Sequence, residues 1–172
     1  MSRIMIVIAL SGCTVAQAKA NITEMCVSYP GVMIHGVTPG TTTVDHVWMD
    51  SNLSAIQSLA SLVSDLQFVR VDATAVSGIS DFTFVQAAHV TIASGDPSST
   101  LPTLDVYDCD GDCDPTGDTL SVPSTLQQSA IDYVESGSVV LDFQMVGEPP
   151  TNDWTMDIDV CFRGELGYQA TL

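Results

Sequence analysis

The chain has 172 residues, 21 acidic against four basic side chains, a formal net charge of −17, and a hydrophobic content of 45%. That negative field repels nucleic acid and anionic lipid, which excludes DNA or RNA binding and polybasic attachment to membranes. The length and apolar content suit one ordinary domain with a packed core. Seventeen of the acids are Asp, a residue that favours turns over helix interiors, so a loop-rich β protein is expected.

The first thirteen residues, MSRIMIVIALSGC, set Arg3 before an apolar run from Ile4 to Leu10, and Leu10-Ser11-Gly12 leads into Cys13. A positive start, an apolar stretch too short to span a bilayer and small residues at the cut site make an export signal, not a transmembrane helix. The competing reading is the buried first strand of a parallel α/β sheet, but the Gly pattern of a ligand-binding turn does not follow it. Leu10-Ser11-Gly12-Cys13 resembles the lipobox of bacterial lipoproteins. The resemblance implies removal of residues 1–12, diacylation of the Cys13 thiol, acylation of its new amino terminus, and a membrane as partner through that lipid. Thr14 is not the Asp that resembles an inner-membrane retention signal, which favours the outer membrane. The mature chain would keep 160 residues and three basic side chains, Lys19, Arg70 and Arg163, against 21 acids, a net charge of −18. The predicted organisation is a signal peptide at 1–12, a tether at 13–20 with a small, polar composition, and a single domain at 21–172.

Within the domain, ITEMCVSYPGVMI reads as a strand through Cys26 and Val27, broken at Tyr29-Pro30-Gly31, then an apolar run from Val32 to Ile34. TTTVDHVWM is a second strand ending near Trp48. LSAIQSLASLV (53–63), with Asp50 or Ser51 as N-cap, repeats apolar residues at helical spacing. In LQFVRVDATAV, Val69, Val71, Ala73 and Ala75 alternate with Phe68, Arg70, Asp72 and Thr74, a half-buried strand by its period of two. DFTFVQAAHVTIASGDP is one long strand or two short ones meeting near Gln86-Ala87. Two more strands follow in LPTLDVYDC and TLSVP, then a short helix in STLQQSAIDYVES capped by Ser124 and stopped by Gly137. Val139, Leu141, Phe143 and Met145 mark one strand face, and Trp154, Met156, Ile158, Val160 and Phe162 the core face of the last. The fold class these elements predict is an antiparallel two-sheet β-sandwich with one or two short helices. FTFVQAAHVTIASGD (82–96) also resembles a pattern in uncharacterised bacterial surface lipoproteins, which implies no function.

Five cysteines divide into Cys13 for lipid and four for two disulfides. Of the three connectivities, Cys109–Cys113 with Cys26–Cys161 is favoured: the first pair flanks a short Asp-Gly-Asp turn and the second ties the first strand to the last. Between Asp105 and Asp118, six Asp surround Cys109 and Cys113. Calcium takes six to eight oxygen ligands, and Asp108, Asp110, Asp112 and Asp114 at alternate positions, with Asp118, could supply carboxylates. The stretch partly resembles the Asp-rich calcium loops of EF-hand-like and thrombospondin-type repeats, with Cys113 where those loops need Gly and Thr119 where they want Glu. The alternative is a solvent-exposed hairpin whose aspartates form turns and solubilise the tip.

His35, His46 and His89 lie in no recognisable catalytic frame, and the nucleophile-elbow, zinc-helix and phosphate-loop motifs are absent. His46 beside Asp45 and near Trp48 could line a sugar or peptide groove. The expectation is a lipid-anchored envelope protein, a binding or structural module and not an enzyme, with an envelope protein or polysaccharide as partner. Calcium-dependent adhesion or envelope assembly is the alternative, and a secreted hydrolase the third.

Overall fold

The computed structural model describes residues 16–50, 63–125 and 129–170, and within them side chains other than those of 16–23, 48–50, 63–64 and 166–170. The signal peptide, Cys13 and the predicted helix up to residue 62 lie outside the described residues.

Period-two alternation governs the chain almost throughout. Among the described residues eight strands result: β1 (Ala16–Ile34), β2 (Thr43–Asp50), β3 (Val63–Ser77), β4 (Val85–Ser94), β5 (Leu104–Asp110), β6 (Thr119–Pro123), β7 (Val139–Gly147) and β8 (Trp154–Ala170), with one short helix, α1 (Ile131–Glu135). They pair antiparallel as β1 with β8, β2 with β7, β3 with β6 and β4 with β5. The chain is therefore one long hairpin bent at β4–β5 and rolled up. Cross-pairs β3·β8 and β4·β7 complete two four-stranded sheets, ordered β1-β8-β3-β6 and β2-β7-β4-β5. This is the double Greek-key connectivity of a jelly roll, a form of the two-sheet sandwich.

The inner faces of both sheets supply the core. Trp154, Tyr107, Phe82, Phe143, Leu66 and Leu120 are its largest fully buried side chains, and among the described residues nothing polar or charged is buried with them. β7 buries every second residue from Val139 through Leu141, Phe143 and Met145. β8 does the same from Trp154 through Met156, Ile158, Val160 and Phe162. Cys26 stands directly opposite Cys161 in the register, and the two are joined across 135 residues. Cys109 and Cys113 are joined across four.

Four expectations need correction. Residues 16–20 are not a tether: β1 already runs from Ala16, paired with β8 as far as Ala170. The small residues Ala16, Ala18 and Ala20 alternate with Gln17, Lys19 and Asn21, which is a strand period. Tyr29-Pro30-Gly31 does not end β1 but forms a bulge, in which Gly31, at φ 66°, donates its N–H to Asp157 at 2.7 Å. In β3, Val69 is an extra residue opposite β8, so Leu66 and Phe68 point inward before the bulge and Val71 and Ala73 after it. A single unbroken alternation had put Val69 inward and Phe68 outward. Ser124 does not cap α1; it bridges Tyr107, while α1 begins after Ala130 without a side-chain cap. Gly137, at φ 90°, does follow the helix end.

The loops sort to two ends. One end joins Val37 to Pro150, Glu148 to Phe84, Gly111 to Gln86 and Ala75 to Asp118 by backbone hydrogen bonds. Close approach is part of this end, since a Cβ on Gly147 would meet the Phe84 carbonyl oxygen at 1.9 Å. The other end holds the start of β1, the finish of β8, α1 and the β4–β5 connection, where Tyr133 donates its hydroxyl to Pro102 at 2.6 Å.

Candidate functional site

Chemistry gathers on the outer face of the β2-β7-β4-β5 sheet, where outward side chains of four strands come into line. One row runs Asp45–Gln144–His89–Asp108. The next runs Val47–Asp142–Thr91–Asp105. Rows two residues apart share a face, and neighbouring strands are about 4.8 Å apart, so each row is a continuous polar ladder.

A bulge makes this alignment. Between Val90/Tyr107 and Thr91/Asp105 the register of β5 shifts by one residue. Val106 and Tyr107 are consequently both buried, and Asp105 and Asp108 both reach the outer face. Tyr107 passes through to the core and donates its hydroxyl to the Cys161 carbonyl at 3.3 Å. Burial raises its pKa, with the charge of Asp72 adding to the effect.

The β7, β4 and β5 members of the two rows, with Tyr107 and Thr125, line an open groove of about 530 Å³. In the first row, Gln144 donates from Nε2 to Asp45 at 2.7 Å, and His89 Nδ1 is bonded to Asp108 Oδ1. In the second, Asp142 has an oxygen shut off from solvent with no hydrogen-bond partner. Its pKa is raised, first by desolvation and then by the nearby charge of Asp45. Val47 is 59% exposed at the end of that row, an apolar side chain left beside the acids.

The raised Asp142 carboxyl makes a prediction about stability. The folded chain keeps a proton there at pH values where the unfolded chain has lost it, so stability falls as pH rises from about 4 towards the folded value. Asp142→Asn should therefore raise the melting temperature at pH 7 and give no such gain at pH 3. The gain should be under about 1 kcal/mol because the carboxyl is partly solvated, which is a shift of at most about 4 °C at this size. A gain of equal size at both pH values would show that desolvation of the charge is not the cause.

The predicted residues are distributed differently. Asp108 belongs to the groove, facing His89, and not to the Asp-rich loop. Asp112 accepts the Asp110 backbone N–H at 3.0 Å and Asp118 accepts from the Thr119 hydroxyl at 3.3 Å, while Asp114 is exposed. Among the described residues, the only three His, Cys, Asp or Glu donors whose ligand atoms lie mutually within 4.8 Å are those of Glu24, Cys26 and Cys161. Two of those sulfurs are spent in a disulfide, which leaves one carboxylate. His46 leans to the core side of edge strand β2, opposite Phe143, and desolvation followed by the charge of His35 lowers its pKa. Its neighbour Asp45 is the one that joins the groove row. His35 is exposed and 3.5 Å from Asp153.

No family model matches the chain, and the comparison with curated proteins returns no match. Solved structures similar to it include desmodium yellow mottle tymovirus, at 12% identity and a TM-score of 0.26, covering 100% of this chain and 94% of that one. The mud crab tombus-like virus gives 10% identity and a TM-score of 0.32, covering 95% and 96%. The semi-empty virus-like particle of Macrobrachium rosenbergii nodavirus gives 12% and 0.31, covering 100% and 96%. At these scores the likeness carries no argument about this chain.

Proposed function

We propose that this protein is a lipid-anchored, non-catalytic binding module of the cell envelope, with the outer face of the β2-β7-β4-β5 sheet as its binding surface. The cysteine pairing is the observation that carries the reading. Four of the five cysteines are joined in two bridges, which leaves Cys13 over, as an acylated cysteine would be. Disulfides persist in oxidising compartments such as the periplasm and the cell surface, in keeping with the Leu10-Ser11-Gly12-Cys13 leader. The outer membrane is the location that Thr14 favours.

The anchor would also orient the domain. β1 opens at Ala16, three residues after Cys13, at the end of the sandwich where β8 finishes. A lipid on Cys13 holds that end to the membrane and leaves the outer face of the β2-β7-β4-β5 sheet open to an envelope protein or polysaccharide. The calcium alternative would need Asp110, Asp112, Asp114 and Asp118 to be drawn together without Asp108, whose carboxylate is taken by His89. A hydrolase that used His89 as its base, with Nδ1 held by Asp108, would need a nucleophile at Nε2.

Growth with a labelled fatty acid tests the anchor. Wild type should carry label and sediment with membranes, and Cys13→Ala should lose the label. Equal labelling of both would overturn the reading.

A further inference from the structure

We infer that the Cys26–Cys161 bridge is a thiol-exchange site, in which an external thiolate attacks Cys26 and Cys161 leaves, because Arg70 and Glu24 close over Cys161. This role is separate from the binding surface, which lies on the other sheet.

The bridge sits on the outer face of the β1-β8-β3-β6 sheet and not in the core, and its two sulfurs are unequal. Cys161 stands between Val160 and Phe162, whose side chains point into the core, so its own points outward. It is nevertheless 0% exposed, whereas Cys26 is exposed. Across the sheet one row runs from Cys26 to Cys161 to Arg70, each directly opposite the next. Arg70 reaches over this row to Glu24, and its guanidinium grips both carboxylate oxygens at 2.7 Å. A Glu24 oxygen lies within 4.8 Å of both sulfurs. The ion pair therefore roofs Cys161 and leaves Cys26 bare.

Exchange is a displacement at sulfur, with the incoming thiolate in line with the bond that breaks. The line through Cys26 leads out past β1, which is an edge strand among the described residues. The line through Cys161 leads to Arg70 on β3. Attack thus joins the external sulfur to Cys26 Sγ, and the electron pair of the broken bond stays on Cys161 Sγ as a thiolate. A second thiolate then displaces Cys26 from the mixed disulfide. Two external thiols are oxidised to one disulfide, the bridge is reduced, and their two protons end on Cys26 and Cys161. On either side of the bridge Met25 pairs with Phe162 and Val27 with Val160, so the ladder holds the two strands in register when the bond opens.

Mapping of mixed disulfides in the full chain tests this. The probes are 2-mercaptoethanol, a small thiol, and thioredoxin whose resolving cysteine is replaced by serine, a protein thiol; each reaction is quenched in acid and digested for peptide masses. Both probes should be found on Cys26 over Cys161 by at least about tenfold, since access decides which sulfur is attacked. In guanidinium the preference should vanish. Arg70→Ala uncovers Cys161 and should bring the native ratio to within about threefold of parity. Arg70→Lys keeps a cation for Glu24 and should keep the preference. Capture of one probe alone supports the site and tells small thiols from protein thiols as its reactant. A preference for Cys161, equal labelling of the two sulfurs, or no mixed disulfide with either probe would overturn the inference. So would a preference that survives in guanidinium or in Arg70→Ala.

Discussion

Removing the bridge between Cys26 and Cys161 is expected to lower stability more than any other single chemical change in this protein. The two residues are 135 positions apart and directly opposed on β1 and β8, so the bond closes nearly the whole domain into a ring. On the chain-entropy account a loop of that length restricts the unfolded state by about 5 kcal/mol. Single domains are stable by only about 5–15 kcal/mol in total, so the Cys26→Ala/Cys161→Ala double variant should lose a third or more of its stability. Thermal melting should fall by about 10 °C or more. The Cys109→Ala/Cys113→Ala variant supplies the control, since its bond closes a separation of only four residues and the same account gives about 2 kcal/mol. Equal losses in the two variants would contradict the entropic origin. Dithiothreitol should reproduce the larger loss in the wild type and leave the Cys26→Ala/Cys161→Ala variant much less affected.

Trp154 is the second position where a large effect is expected. It is 1% exposed and opens β8 at the end of the core, with Phe82 and Phe84 edge-on to it at ring-centroid distances of 6.0 and 5.9 Å. Truncation to Ala leaves a large void among residues that the Gly36, Gly78 and Gly147 backbone approaches hold in place, so little collapse can compensate. Trp154→Ala should cost about 3–5 kcal/mol. Trp154→Phe tests a separate point. The indole N–H is buried without a partner, and a buried unpaired donor costs about 1–3 kcal/mol. Phe removes that donor along with part of the volume, so Trp154→Phe should cost no more than about 1.5 kcal/mol. If Phe is as damaging as Ala, shape complementarity and not polar satisfaction governs the site.

Much of this architecture was legible in the residues, and the exceptions share a cause. β7 and β8 alternate without interruption, so their core faces could be read directly, and with them the sandwich. β3, β4 and β5 contain bulges, and one extra residue reverses every later side chain. For that reason Phe68 was turned outward. For the same reason Asp105 and Asp108, three apart, gave no sign of sharing a face. Ala16–Ala20 has too little hydrophobicity to look like a strand, yet it pairs because β8 extends alongside it.

The groove was harder to see because its residues come from strands far apart in sequence. Asp142 and Gln144 could be placed on the outer face of β7, and His89 on a strand, but which strands are neighbours depends on the roll of the hairpin. β2 lies beside β7 across about a hundred residues, which is how Gln144 meets Asp45. The one available signal was polar residues at alternate positions on several strands, with no interruption of the apolar partners between them. The Asp-rich loop drew attention by density instead, although density in sequence does not gather carboxylates in space. Asp108 is the member of that cluster whose partner, His89, lies on the neighbouring strand β4 and not in the loop.

The most direct test of the account is the mass of the mature amino-terminal peptide, taken from the protein purified out of the membrane fraction. A lipid-anchored envelope module predicts a chain beginning at Cys13, carrying a thioether-linked diacylglyceryl group and an acylated amino terminus. A chain that retains Met1, or one whose Cys13 carries a free thiol, would contradict it.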